Sequence, residues 1–403
     1  MDFNNLILTY SGVDYNLRKA GYEDAPEIMD LYNTLYRGYY TIDFCTNAQK
    51  YFEAVESDDI LWLVLEKKGK IYASVFWKVN SECRFAKVAG AAVRPETRGN
   101  SIMTDMARIG TDFCFYNTDY IDLIYSTTRT NQPAPQKVLK SIGYECIGIL
   151  PNVVKTKQFE THSIMVKYKD GIIRSKRKEQ NILSEIQPFY SLVKDIYNFD
   201  ENINVISLPE KKQLKLREIQ FEAIYHPGKA NELFKKRIKQ FNFTDRFFLQ
   251  EPNLVLYNED FNIEVFIRWI DEEKQANIIW LNYENRNWYN ILNSITNFCY
   301  NLNIRYFEIL IDAWDTKKQK AAIDAKFVPS AYFPALFFNK HNNERRDAVV
   351  FVRSFEILDF SEIYAEGIAG EFLKEFYKSW EKVYIGNFFK NLSDKSKKNE
   401  ERV

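Results

Sequence analysis

The sequence predicts an α/β (α+β) protein built from two domains of similar architecture, each combining a sheet with flanking helices. Two observations support this prediction. Short apolar runs with strand character alternate along the chain with segments whose apolar residues recur every three or four positions, as on one face of a helix. Several residue pairs of the first half also recur at matching spacings in the second half. A chain of 403 residues is long enough for two such domains, each with its own core.

The composition is that of an ordinary globular protein, with 46% hydrophobic and 27% charged residues. Lys+Arg and Asp+Glu both number 55, which argues against a nucleic-acid partner because such proteins usually carry a basic excess. No segment approaches the roughly 20 apolar residues of a membrane helix, and the first residues lack the pattern of a signal peptide. We therefore expect a cytoplasmic protein without a membrane span.

Cysteine and histidine give little support to a metal site. The five cysteines are odd in number and show no Cys-x-x-Cys spacing, so we expect buried hydrophobic side chains. The three histidines, His162, His226 and His341, lie far apart in the sequence. We therefore expect no metal.

The first elements are a strand, a helix and a hairpin. Residues 15–20 alternate as a strand, and apolar residues at helical spacing follow from Ala25 to Leu35. Residues 60–65 and 71–79 read as two strands joined by a charged turn that contains Gly69.

The next stretch organises the remainder of the first half. A small, apolar strand over residues 88–93 ends at Pro95, and a polar turn leads into an amphipathic helix. One face of that helix carries Ile102, Met106, Ile109, Phe113 and Tyr116. The first N–H groups of a helix have no intrahelical partner and lie at the positive end of its dipole, so this turn could bind a pyrophosphate.

The first half closes with a strand, a short helix and two strands. Residues 120–127 alternate as a strand, and Asn131-Gln132-Pro133 opens a short helix that ends at Gly143-Tyr144. Residues 145–150 and 161–168 supply the last two strands.

This order, together with Arg98-Gly99-Asn100-Ser101-Ile102-Met103, resembles motif A and its surroundings in the GNAT superfamily of acyl-CoA-dependent N-acyltransferases. The family pattern is Arg/Gln-x-x-Gly-x-Gly/Ala, and this chain departs from it at Ser101 and Met103. The resemblance spans about residues 13–169. It implies a mixed, mostly antiparallel twisted sheet flanked by helices.

The resemblance also implies an activity and a cofactor. An acyl group, most commonly acetyl, would pass from acyl-CoA to the primary amine of a small molecule or peptide by direct attack. Strand backbone would hold the pantetheine and polarise the thioester, and the turn amides would hold the pyrophosphate. The residues assigned to acyl-CoA in this way are Ala91, Ala92, Val93, Arg98, Gly99, Asn100, Ser101, Ile102 and Met103.

The catalytic groups are harder to assign from the resemblance. The family often has a tyrosine as general acid where this chain has Leu139. Tyr125 is our substitute for that acid, and a packed core residue is the alternative interpretation. Glu82 and His162 are our candidate bases. Histidine suits this role because the ordinary pKa of its side chain lies near neutral pH. The alternative interpretations are an exposed turn carboxylate for Glu82 and a structural histidine for His162.

Three pairs of adjacent residues indicate that the second half of the chain repeats the first. Gln136-Lys137, Gly143-Tyr144 and Leu150-Pro151 recur at the same spacings as Gln319-Lys320, Lys326-Phe327 and Phe333-Pro334. By this alignment residues 277–283 are the counterpart of the organising strand and residues 288–300 of its helix. The intervening Glu284-Asn285-Arg286-Asn287 contains no glycine, so we expect a degenerate copy that has lost CoA.

These readings divide the chain into four parts. We expect residues 1–169 to form the acyl-CoA-binding catalytic domain, 170–201 a basic helical linker and 202–360 the degenerate copy. We expect residues 361–403 to carry a helix and a disordered tail. The apolar stripe of that helix either docks on a domain or forms a homodimer face; its members are Ile363, Ile368, Phe372, Phe376 and Trp380.

Two other functions remain open from the sequence. The chain could be a non-catalytic CoA-sensing or scaffold protein, which Ser101, Met103 and Leu139 favour. It could also be an enzyme of related fold that uses a charged tRNA as donor, which the neutral charge balance disfavours.

Overall fold

The computed structural model describes residues 3–38, 40–156, 158–176, 181–199, 203–209, 218–241, 250–283, 287–361, 363–365 and 367–386. Contacts divide the chain into a first unit, Met1–Glu145 with Met165–Ile172, and a second unit, Cys146–Ile164 with Ile173–Val403. This division assigns residues 146–164 to the second unit, whereas the sequence groups them with the first half. Glu284, Asn285 and Arg286, where the sequence predicts a turn without glycine, and the tail from Ser393 lie outside the described residues.

The elements of the chain are as follows. The first unit contains β1 (Leu6–Tyr10), β2 (Val13–Lys19), α1 (Ala25–Tyr36), α2 (Ala48–Glu56), β3 (Ile60–Lys67), β4 (Lys70–Asn80), β5 (Phe85–Val93), α3 (Ile102–Tyr116), β6 (Leu123–Arg129) and α4 (Ala134–Ser141). The division between the units falls within β7 (Glu145–Lys155) and β8 (Phe159–Tyr168). From there follow α5 (Ile172–Lys176), β9 (Asn181–Leu183), α6 (Gln187–Tyr197), β10 (Asn204–Ile206), β11 (Glu222–Ile224), α7 (Pro227–Phe241), β12 (Leu254–Asn258), β13 (Ile263–Ile270), β14 (Gln275–Asn282), α8 (Trp288–Asn301), β15 (Tyr306–Asp312), α9 (Thr316–Asp324), β16 (Val328–Asn339), β17 (Glu344–Ser354) and α10 (Ile368–Glu381).

The sheet of the first unit runs in the order β1-β2-β3-β4-β5-β6. Its pairs are antiparallel except β5–β6, which is parallel. Successive side chains of β3 lie on opposite faces of the sheet. Leu61 and Leu63 pack in the core with α3 and α4, whereas Trp62 packs with α1 and α2. Helices therefore cover both faces of this sheet.

The predicted strands and helices of the first half are present, with small differences. Tyr116 was expected on the buried face of α3, but it is the last residue of that helix and its side chain is 66% exposed. The sequence analysis did not identify β1 or α2. Both have weak patterns, since β1 is a partly exposed strand and α2 has only two buried residues.

The second unit repeats the local order of elements seen around β5. Its sheet runs β7-β16-β17-β15-β14-β13-β12-β11, and β14–β15 is its parallel pair. A strand, a helix and a parallel strand are followed by a short helix and two neighbouring strands in both halves of the chain. The two strands of the second half, β16 and β17, are antiparallel. Each unit is thus a mixed, mostly antiparallel sheet flanked by helices, and the predicted fold class is confirmed.

Within the second unit, α10 has a buried side. Phe372 and Phe376 are buried, and the Phe372 ring lies 6.4 Å from that of Phe189 in α6. Ile363 precedes the helix and is not part of it. The structure therefore favours docking of this stripe within its own unit. Over the described ranges, none of the helices combines the length and apolar character required to cross a membrane.

Candidate functional site

Strands β5 and β6 pair over only part of their length. The described parallel register runs from Phe85–Leu123 to Lys87–Tyr125. One further link follows, in which the Ser126 hydroxyl donates to the Val88 carbonyl over 2.9 Å. Beyond this link the described ladder does not continue, and we refer to the space between the carboxyl ends of the two strands as the cleft. Ligands commonly bind in such a crevice at the carboxyl ends of parallel strands.

A β-bulge lies beside this cleft. Ser74 pairs with Ala92 and Phe76 with Ala89, so two residues of β5, Gly90 and Ala91, oppose one residue of β4. Gly90 has φ +69°, and a Cβ there would lie 2.3 Å from Cε1 of Phe76. Only glycine fits this position without movement of its neighbours.

Two tyrosines of α1 hold the carbonyls of the bulge. The Tyr32 hydroxyl donates to the Gly90 carbonyl, and the Tyr36 hydroxyl donates to the Ala91 carbonyl over 3.4 Å. The tyrosines are four residues apart, so both lie on the same face of α1. Ser74 completes the arrangement, since its hydroxyl oxygen accepts from Trp62 Nε1 at 2.8 Å and lies 3.2 Å from the Tyr32 hydroxyl.

Tyr40 extends this pair into a stacked group. Its ring centroid lies 4.8 Å from that of Tyr32 and 4.4 Å from that of Tyr36. Burial raises the pKa of Tyr36, while the guanidiniums of Arg129 and Arg98 act in the opposite direction. The phenol is therefore neutral at pH 7 and lies within the field of two cations. The sequence analysis missed this group, although three tyrosines at intervals of four were a usable signal.

The turn between β5 and α3 offers a run of backbone donors. The Arg98 N–H donates to the Pro95 carbonyl at 3.2 Å, and the Asp105 N–H donates to the Ser101 carbonyl at 2.9 Å. For the N–H groups of residues 99–104, the described part of the chain provides no protein acceptor. Space is open beside Gly99, where no atom lies within 4 Å of the position a Cβ would take. These donors precede and begin α3, where the helix dipole favours an anion.

Side chains around the turn set its charge. The Arg98 Nε donates to the Val93 carbonyl at 3.3 Å, which connects the guanidinium to the end of β5. Asp105 accepts from the Ser101 hydroxyl and, at 3.1 Å each, from Tyr10 and Arg108. Burial, followed by the nearby Asp105 carboxylate, raises the pKa of Tyr10. One carboxylate therefore already occupies the first turn of α3.

The predicted cofactor residues adjoin one another around the cleft. Ala91, Ala92 and Val93 end β5 at the bulge, and the turn from Arg98 to Ser101 is exposed. Ile102 is buried and Met103 half-buried, so these two offer backbone rather than side chain. The Arg98 N–H is used within the turn, and Thr104 provides a donor that the sequence analysis did not list.

The predicted catalytic residues fall in three different places. Tyr125 belongs to the last parallel pair, is fully buried, and has its ring 6.0 Å from that of Phe85. Glu82 lies in the exposed turn before β5, and the strand from Phe85 to Ala91 spans about 20 Å. The structure thus places Tyr125 at the start of the cleft and does not bring Glu82 to the bulge.

His162 is not among the residues of this site. It lies in the part of β8 that belongs to the second unit, and its Nε2 is 3.9 Å from Oε2 of Glu160. Leu139, which the sequence analysis compared with a family's acid position, is buried in the core of the first unit. Within the described ranges, no three histidine, cysteine or carboxylate side chains are grouped as metal ligands.

Comparisons with known proteins give a fold likeness over part of the chain. No protein-family model matches the sequence, and no curated protein matches it. Similar solved structures include a ribosomal-protein-S5-alanine acetyltransferase from Vibrio fischeri, at 16% identity and a TM-score of 0.36, over 41% of this chain and 98% of that one. Another is a ribosomal-protein-alanine N-acetyltransferase from Brucella melitensis, at 17% identity and a TM-score of 0.34, over 38% of this chain and 99% of that one. A spermidine N-acetyltransferase from Vibrio cholerae, in complex with CoA and spermine, has 17% identity and a TM-score of 0.34, over 38% and 95% of the two chains.

Proposed function

We propose that the first unit is a GNAT-type N-acyltransferase that moves an acyl group from acyl-CoA to the primary amine of a small molecule or peptide. One observation carries the proposal: β5 and β6 part beyond the Lys87–Tyr125 pair, beside a bulge and directly before a run of available backbone donors. A thioester and a pyrophosphate need these two features, namely a cleft between strand ends and an adjoining anion site.

In this proposal the cofactor lies along the end of β5. The N–H groups of residues 99–104 and the Arg98 guanidinium bind the pyrophosphate, and Ala91 to Val93 border the pantetheine. Ser101 replaces the family's glycine, but its hydroxyl donates to Asp105. Its backbone, rather than its side chain, is therefore the group offered to a phosphate.

The reaction needs few groups from the protein. The amine nitrogen attacks the thioester carbonyl carbon, forming a C–N bond and an oxyanion that backbone donors near the bulge stabilise. Collapse of this intermediate breaks the C–S bond, the nitrogen gives up one proton as the amide forms, and the CoA thiolate leaves and takes up a proton. Tyr125 remains our predicted acid, and Tyr36 is a second neutral phenol, held at the Ala91 carbonyl beside the cleft.

We also propose that the second half is a degenerate copy of the first. The repeated order of elements supports this, as do β6 and β15, which are both seven residues long and are both followed by a short helix. At the start of α8 the side chain of Asn287 accepts from the Tyr289 N–H at 3.1 Å. A side-chain cap of this kind occupies a donor that a phosphate would otherwise use.

The test is calorimetric titration of the full chain with acetyl-CoA and with free CoA. We expect saturable binding that Arg98→Glu weakens at least about tenfold, since a reversed charge would face the phosphates. Lys140→Glu is the matched control, because Lys140 is exposed in the last turn of α4. The absence of saturable binding at millimolar acetyl-CoA would contradict the proposal, as would equal binding by the Arg98→Glu variant.

A CoA-sensing protein without catalysis is the second candidate. Leu139 stands at the usual acid position and is buried, which favours this reading. Mass spectrometry of a panel of primary amines incubated with protein and acetyl-CoA separates the two functions. Acetylated product with release of free CoA supports the transferase, whereas tight binding without product from any amine supports the sensor.

A further inference from the structure

The second unit has a cavity at the carboxyl end of β15, one of its two parallel strands. The register of β14 with β15 runs from Gln275–Tyr306 to Ile278–Ile309, and β15 ends at Asp312. Beyond that end is a cavity of about 420 Å³, bordered by the residues that connect β15 to α9 and by Arg346 of β17. Its volume falls within the range of small-molecule sites, about 300–1,000 Å³.

The charges around the cavity favour an anion. The carboxylate of Asp312 lies 2.7 Å from the Arg346 guanidinium, and that of Asp315 lies 2.9 Å from the Lys318 ammonium. Both carboxylates are thereby neutralised. Lys317 is exposed, and it forms no ion pair with any other described residue. The lining residues therefore carry one more positive than negative charge.

An exposed aromatic ring lies at the same place. Trp314 borders the cavity and is 45% exposed, although tryptophan is usually well covered in folded proteins. Its neighbour Lys318 lies 5.2 Å from the ring centroid of Trp288 and 5.7 Å from that of Tyr283. These contacts hold the ammonium at the edge of the cavity. A tryptophan face beside fixed cations suits a planar ring that bears an anionic group.

We propose that this cavity binds a nucleoside monophosphate or a ligand of the same chemistry. The base stacks on Trp314, and the phosphate is bound by Lys317 with support from Lys318 and Arg346. The carboxylates of Asp312 and Asp315 are placed to accept hydrogen bonds from ribose hydroxyls. This site lies wholly in the second unit and is independent of acyl-CoA binding by the first.

The experiment is calorimetric titration of the full-length Arg98→Glu variant with AMP, with adenosine and with inorganic phosphate. The Arg98→Glu background suppresses binding of adenine nucleotides at the proposed CoA turn. We expect saturable AMP binding that is much stronger than the binding of adenosine or of phosphate alone. Added in that background, Trp314→Leu weakens it about tenfold, which is the scale of one base–aromatic stack.

Charge variants complete the test. Lys317→Glu also weakens AMP binding, while Lys236→Glu, an exposed lysine of α7, leaves it unchanged. Unchanged thermal unfolding of Trp314→Leu excludes misfolding as the cause. Three results would overturn the proposal: no saturable binding at millimolar AMP, equal affinity for AMP and adenosine, or AMP binding that is indifferent to Trp314→Leu.

Discussion

Gly90 sets the local geometry of the proposed thioester site. Its positive φ forms the bulge, and the Phe76 ring fills the space that a side chain would need. That ring cannot easily move, since it lies 4.9 Å from the ring of Phe44 and 5.6 Å from that of Trp62. The bulge is therefore determined by one residue and by the aromatic packing behind it.

Gly90→Ala should destabilise the protein by about 3 kcal/mol. About 1 kcal/mol of this comes from a positive φ in a residue with a Cβ, and the remainder from overlap with Phe76. Gly12→Ala is the control, because Gly12 also has positive φ, at +75°, but no atom within 4 Å of its Cβ position. Urea unfolding measures both variants, and equal losses would contradict the steric account.

Tyr32→Phe should cost about 1–2 kcal/mol of unfolding free energy. The variant leaves the buried Gly90 carbonyl without its tyrosine donor and removes the contact with Ser74. Tyr22→Phe removes a hydroxyl that donates to Glu56 at the surface, so its expected effect on the free energy of unfolding is much smaller. A loss in Tyr32→Phe no larger than in Tyr22→Phe would show that the hydroxyl does not secure the bulge.

At the scale of elements, α3 combines a structural role with the proposed binding of pyrophosphate at one end. Asp105 stabilises the helix by placing a carboxylate in the first turn, and the same charge opposes an incoming pyrophosphate. Stability and CoA affinity should therefore change in opposite directions at this residue.

Asp105→Asn should lower the unfolding free energy by about 0.5–1 kcal/mol and raise the affinity for CoA about threefold. Asp112→Asn is the matched control, two turns further along the same helix, where the carboxylate lies 3.8 Å from the Lys167 ammonium. Urea unfolding and calorimetry on the same preparations provide both quantities. Weaker CoA binding by Asp105→Asn would place the phosphates elsewhere.

The sequence could predict most strands and helices of the first half of the chain. Short apolar runs located β3, β4 and β5, and helical periodicity located α3, to within a few residues, because most residues of these strands and one face of the helix are buried. The sequence pattern could not locate the bulge, which depends on the pairing of β4 with β5, or the tyrosines that hold it, which depend on contacts between α1 and β5. Gly90 inside a strand pattern was the available signal for the bulge.

Only part of the candidate site could be predicted from the sequence. The turn at Arg98 lies where the pattern placed it, because a strand-to-helix turn is a local feature. Glu82 was chosen for its nearness to β5 in sequence, but a strand carries its two ends about 20 Å apart. Catalytic side chains depend on which strand ends meet, and one sequence does not contain that information.

For the molecule as a whole, buried thiols predict a loss of stability at alkaline pH. Burial raises the pKa of Cys45, Cys114 and Cys299 above the usual thiol value. A group whose pKa is raised by folding contributes stability that is present below its unfolded pKa, about 8.5, and is lost as the pH rises above it. Each of these thiols should therefore lower the free energy of unfolding by up to about 1.4 kcal/mol for every pH unit above its unfolded pKa.

Between about pH 8.5 and 10 the free energy of unfolding of Cys114→Ala should fall less steeply with pH than that of the wild type. The difference in slope should be the contribution of one thiol. Val75→Ala truncates a buried residue of the same core without removing a titratable group, so it should lower stability but keep the wild-type slope. Urea unfolding at a series of pH values measures both slopes. An unaltered slope in Cys114→Ala would show that this thiol is not protected in the folded state.

Amide hydrogen exchange with and without CoA can locate the proposed binding of acyl-CoA between the end of β5 and the start of α3. We expect slower exchange at residues 99–104 in the wild type at saturating CoA, and no such protection in Arg98→Glu at the same CoA concentration. Unchanged exchange at residues 99–104 with CoA bound, or protection confined to the second unit, would show that acyl-CoA binds elsewhere.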